Sequence, residues 1–195
     1  MFNIDNIIKT IYSGGSKLNL ISNIIPVLAP NIGNKSENIT ITEISNIWAM
    51  LDNAMISLSN IEVIHNQASN EKLKKLLKDI RDNSTTKMID EFTGILNIAK
   101  VQSPAGFKKR EMVKENIQKN DSMLTDAEIA LTAAVALEGA LTCVNNSMVQ
   151  SSNTKIALMY LKYYNDIAQY LAKLMDMCKE GSWSNTPPTL KNIKQ

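Results

Sequence analysis

Two stretches of this chain open alike. Thr40-x-x-Glu43 has the spacing of a capping box, in which the threonine hydroxyl accepts from the amide three residues on and the glutamate accepts from the threonine's own amide. Ile44, Ile47, Trp48, Leu51, Ala54, Met55, Leu58 and Ile61 then recur at three- and four-residue steps, which is one apolar face of a long helix. The same opening returns as Leu124-Thr125-x-x-Glu128-Ile129, again ahead of a long apolar-periodic run. The turns repeat as well: Gln67-x-Ser69-Asn70 reappears as Gln150-x-Ser152-Asn153. A chain written this way folds as one helical hairpin used twice, with the first helix of the second copy slightly shorter.

The periodicity predicts four helices. The first runs from about Thr42 to Gln67 and the second from about Glu71 to Ala99. The apolar face of the second is Leu73, Leu76, Leu77, Ile80, Ile95 and Ile98, with Met88 at its edge, Ser84, Lys87 and Glu91 on the same stripe and Lys87 spaced to pair with Glu91. The third, from Asp126 to Val149, turns Ala130, Ala133, Ala134, Leu137, Ala140, Leu141, Val144 and Met148 inward. The fourth follows Ser152-Asn153, ends near Lys179 and is apolar on two sides. One side is Ile156, Met159, Tyr160, Tyr163, Ile167, Tyr170 and Leu174; the other includes Leu158, Leu161, Ala168, Ala172 and Met175. A helix apolar nearly all round is covered on more than one side. The outer set is therefore the expected surface for association with a second copy, unless residues 18–28 of the same chain cover it.

The hairpins, about 42–99 and 126–179, are joined by a segment over residues 100–123 that contains Pro104 and Gly106. A helix of about 26 residues is about 39 Å long. A segment of about 25 residues reaches roughly 80 Å when extended. The link can therefore run the length of the bundle, and Lys108 to Lys119 can form a short exposed helix on the way. The expected fold is all-α: a ferritin-like four-helix bundle over residues 39–180, made of two repeated hairpins joined by a long crossover. Residues 1–38 form an arm with two short apolar pieces, and residues 181–195 an extended tail fixed by Pro187-Pro188.

Composition narrows the function. Twenty-one basic against 19 acidic residues leave a net charge of +2, without the basic excess of a nucleic-acid binder. No run of 18 apolar residues predicts a membrane span, and no basic region followed by an apolar run marks an export signal. The two cysteines, Cys143 and Cys178, are expected as free thiols in a protein that stays in the cytoplasm of its producing cell.

Glu62-x-x-His65 is the one metal-like motif. Di-iron bundles carry a Glu-x-x-His pair on each of two helices and a glutamate on each of the others. Here His65 is the sole histidine, and the nearest further ligands are Glu91 and Glu138. The motif falls at a helix end, so the structural reading is a glutamate and a histidine bonded near the turn. The competing reading is an iron or manganese site.

Ser103-Pro-Ala-Gly-Phe107, Trp48 after Thr-x-x-Glu-Ile, and Lys179-Glu-Gly-Ser-Trp183 followed by Pro187-Pro188 resemble an uncharacterised Firmicutes family related to spore coat protein F. The resemblance covers roughly residues 39–190 and implies a ferritin-like bundle. It further implies a non-enzymatic, self-assembling protein, a dimer or larger, associated with sporulation and with other spore coat proteins, and no cofactor. Two alternatives stay open: a di-metal oxidase or storage protein using Glu62 and His65, and a bundle that binds a small ligand or partner.

Overall fold

The computed structural model describes residues 39–113 and 123–183. The apolar pieces of the arm, the proline-fixed tail and residues 114–119 of the expected exposed helix lie outside these residues. Among the described residues all regular structure is helical. Helix α1 spans Ile41–Gln67. Helices α2 (Glu71–Ile80) and α3 (Thr86–Ile98) form one rod, joined by a π-helical turn over Arg81–Thr85. Helix α4 spans Asp126–Val149 and α5 spans Thr154–Glu180.

Both hairpins start and turn by the same chemistry. The Thr40 hydroxyl accepts from the Glu43 amide at 3.2 Å while the Thr40 amide donates to Glu43 Oε2 at 2.7 Å. Thr125 and Glu128 do the same at 3.3 and 2.7 Å. At the turns, Asn70 Oδ1 accepts from the amides of Lys72 and Leu73, and Asn153 Oδ1 from those of Lys155 and Ile156.

Each turn is also held by a carboxylate of the other hairpin. Glu43 Oε1 accepts from the Asn153 amide at 2.7 Å and the Ser152 hydroxyl at 3.3 Å. Asp126 accepts from the Ser69 amide at 2.7 Å and the Ser69 hydroxyl at 3.1 Å. Helices α1 and α5 therefore run one way, and the α2–α3 rod and α4 the other.

The crossover lies along α1. The Trp48 indole donates to the Gln102 carbonyl at 3.0 Å, the Arg110 amide to Glu62 Oε2 at 2.7 Å, and the Val113 amide to Asn66 Oδ1 at 2.9 Å. Residues 108–113 are irregular, contrary to the expected helix. The Arg110 and Val113 amides are given to α1 side chains instead of to carbonyls one turn back.

The π-turn explains where the second helix departs from expectation. An extra residue in one turn advances the inward face by one position. Before it, Leu73, Leu77 and Ile80 are buried; after it, the buried residues are Met88, Phe92 and Leu96, while Ile98 is 82% exposed. Lys87 consequently donates to Asn83 and not to Glu91. Phe92 meets the rings of Tyr160 and Tyr163 edge-on, with centroids 5.9 and 5.5 Å apart. The buried side chains form two groups, one around Leu51, Phe92 and Tyr160, the other around Leu77, Ile129 and Leu174.

Replacing Thr40 or Thr125 with alanine removes the hydroxyl's cap bond and its bond to the glutamate and should cost about 1 kcal/mol in each case. Glu43→Ala withdraws the acceptor from Thr40, Ser152 and Asn153 together and should cost roughly 2–4 kcal/mol. Urea unfolding of the three variants checks this ordering. Equal losses would contradict the cross-hairpin role of Glu43.

Candidate functional site

The motif Glu62-x-x-His65 sits in the last two turns of α1, and both side chains are buried. Glu62 is already fully engaged. Its Oε1 accepts from Arg81 Nη2 at 3.0 Å and Nε at 3.3 Å, and its Oε2 from the Arg110 amide. The Arg110 guanidinium reaches on to the Ser59 hydroxyl. Arg81 also bonds Asp82 at 2.8 Å, so the π-turn carries the cation that neutralises Glu62.

His65 bonds the neighbouring Asn66 through Nδ1 at 3.2 Å. Burial holds its pKa below the usual value of 6.5, an effect reinforced by the positive charges of Lys74, Lys78 and Arg81 and only partly opposed by the Asn66 bond.

The remaining two candidate ligands lie elsewhere. Glu91 on α3 bonds the Tyr163 hydroxyl and, at 3.0 Å, Lys162. Burial raises its pKa, but these bonds outweigh it, and the carboxyl is held below the ordinary range. Glu138 is exposed on α4. Among the described residues no group of three or more His, Cys, Asp or Glu side chains is placed to hold a metal ion. Arg81, Arg110 and Tyr163, the partners that occupy these carboxylates, carry no motif and come from distant parts of the chain.

The outer set of α5 is not laid bare. Leu158, Leu161, Ala168 and Met175 are half-buried and only Ala172 is exposed. The more open apolar surface belongs to α4, where Leu131, Val135 and Val149 are 40%, 69% and 70% exposed. By length and composition α4 is apolar enough to cross a membrane, with a mean hydropathy of 1.6. The sequence reading passes over it because Asp126, Glu128 and Glu138 interrupt its apolar run. Here it packs along α5 as a wall of the bundle. Cys143 is exposed and Cys178 buried, both as free thiols.

Residues 29–195 match the family described as protein of unknown function, DUF3231. The chain belongs to that family. No curated protein matches it. Among solved structures, a candidate spore coat protein from Bacillus halodurans is similar at 18% identity and a TM-score of 0.74, over 80% of this chain and 98% of that one. A conserved hypothetical protein from Mycobacterium tuberculosis is similar at 10% identity and a TM-score of 0.57, over 70% of this chain and 96% of that one. A two-domain protein from Anabaena variabilis, with DJ-1/ThiJ/PfpI-like and ferritin-like domains, is similar at 12% identity and 0.58. This likeness spans 89% of the chain and 52% of the Anabaena protein. At these identities the likeness is one of fold.

The residues that carried the family resemblance have structural work in this DUF3231 chain. Gly106 passes over the Met55 sulfur, where an added Cβ would lie 3.5 Å away. At Gly181 an added Cβ would lie 2.7 Å from the Trp183 ring, which packs onto the core beside Cys178. Glycine is required there by close approach.

The lowered pKa of His65 sets a pH dependence. Stabilisation by the neutral ring is complete above pH 6.5 and declines as pH falls from 6.5 toward the depressed folded value. Urea melts of wild type and His65→Gln above pH 6.5 and at successively lower pH should therefore show wild type losing stability relative to the variant on acidification. Parallel behaviour of the two proteins would contradict the buried neutral imidazole.

Proposed function

We propose that this chain is a non-enzymatic structural protein that assembles with copies of itself and serves in the spore coat of its producing cell. The observation that carries this reading is the fate of the carboxylates. Glu62 is spent on Arg81 and the crossover, and Glu91 on Tyr163 and Lys162. Glu138 is exposed, so among the described residues the three glutamates and His65 share no centre, which favours this reading over the di-metal alternative. The spore association rests on the likeness to the Bacillus halodurans candidate coat protein and on the motifs shared with the family related to spore coat protein F.

Self-association has a surface to use. Ile41 begins α1, Ile98 ends α3 and Val149 ends α4, so all three fall at one end of the bundle, and they are 87%, 82% and 70% exposed. Together they give that end of the bundle apolar surface for a second copy to cover. The outer set of α5, half-exposed at Leu158, Leu161, Ala168 and Met175, is the companion surface.

Sedimentation velocity of the pure protein should give a species larger than a monomer. Combining Ile98→Lys with Val149→Lys should shift it to monomer with helicity unchanged, and Leu161→Lys reports on the α5 surface in the same way. A wild type that stays monomeric at high concentration would contradict self-assembly. The spore assignment is tested by fractionating mature spores of the producing organism: recovery in the coat extract is expected, and recovery in the mother-cell cytoplasm alone would contradict it.

A further inference from the structure

A groove of about 610 Å³ opens between α1 and α4. Ala54, Ile61, Leu77, Ile80, Leu137 and Ile167 make its inner wall. Asn53, Ser57, Asn60 and Thr132 bring amides and hydroxyls to its margin. None of its lining residues is charged.

Two local features create it. First, α4 faces the groove with short side chains, Thr132, Ala136, Gly139 and Cys143, all exposed, so the wall stays low along successive turns. Second, the π-turn sets Ser84 and Thr85 into the lining, 3% and 8% exposed. π-turns inside α-helical rods frequently occur at functional sites. In this chain the turn both re-phases the helix and adds two hydroxyls to a groove that is otherwise apolar at depth.

The lining selects its occupant. A charge carried to the inner wall would lose water and meet no counter-charge, so the lining favours an uncharged occupant. The volume falls within the roughly 300–1,000 Å³ of small-molecule sites, and an apolar interior with a few polar groups is how such sites are built. We propose that this groove binds an uncharged, lipid-like small molecule, its apolar chain along the inner wall and an uncharged hydrogen-bonding end at the amide and hydroxyl margin. Binding of this kind needs no second copy of the chain, so it is independent of self-assembly.

Gly139 offers a clean variant. A Cβ added there meets nothing within 4 Å, so Gly139→Phe adds bulk to a lining position without a clash at Cβ and replaces the poorest non-proline helix former. The uncharged dye Nile red should bind the full-length wild type saturably and be displaced by 1-dodecanol. Dodecanoate, ionised at about pH 8, should displace it roughly tenfold less well or worse. Gly139→Phe should weaken dye binding by roughly tenfold or more while helicity is retained.

The groove-lining thiol of Cys143 supplies a second readout that needs no substitution. Its alkylation by N-ethylmaleimide should slow when 1-dodecanol is present, and the buried Cys178, whose thiol pKa is raised by burial, does not compete. Absent saturable dye binding, unchanged affinity in a folded Gly139→Phe, equal displacement by dodecanoate, or alkylation indifferent to dodecanol would each overturn the proposal.

Discussion

Glu43 sits where both hairpins have to be finished at once. One oxygen completes the capping box of α1 and the other receives the amide of Asn153, which caps α5. Burial by itself pushes this carboxyl's pKa up, but bonds from Thr40, Asn153 and Ser152 outweigh that and hold it below the usual range. The anion is thus stabilised by the N-termini of two helices, the place where backbone amides lack partners and negative charge is favoured. Asp126 performs the matching task at the other end by receiving Ser69. With one carboxylate clasp at each end, the crossover can travel the full length of the bundle without the hairpins slipping past each other.

The same use of carboxylates shapes the last turns of α1. A di-metal bundle leaves inward carboxylates to meet an ion. Here Glu62 is answered by a guanidinium from the π-turn and by a backbone amide from the crossover, and both partners arrive from outside its own helix. The π-turn therefore has two consequences. It presents Arg81 to Glu62, and it brings Phe92 and Leu96 inward in place of the residues that straight α-periodicity would choose.

Much of this was legible in the sequence because it is local. The Thr-x-x-Glu spacing, the Asn at each turn and the stripe from Ile47 to Ile61 are decided within one or two helical turns, and the structure shows both capping boxes as expected. The length of the link between the hairpins was enough to imply the crossover. The π-turn was not legible, since Arg81-Asp-Asn-Ser-Thr85 contains no proline or glycine to announce it. Met88 still falls inward after it, but the inward Ile98 and the Lys87–Glu91 pair were out of phase. The partners of Glu62 and Glu91 were hidden for a different reason: Arg110 and Tyr163 lie far off in sequence and are brought near only by the crossover and by the packing of α5 on α3.

Glu62 acts in this fold as a structural anion matched to Arg81. A double-mutant cycle with Glu62→Gln, Arg81→Met and both together, followed by urea unfolding, measures that pairing directly. The predicted result is a coupling of roughly 1–3 kcal/mol, as found for side chains in direct contact within one network. A coupling of zero, with Glu62→Gln no less stable than wild type, would contradict it and return Glu62 to the pool of groups free to serve a ligand.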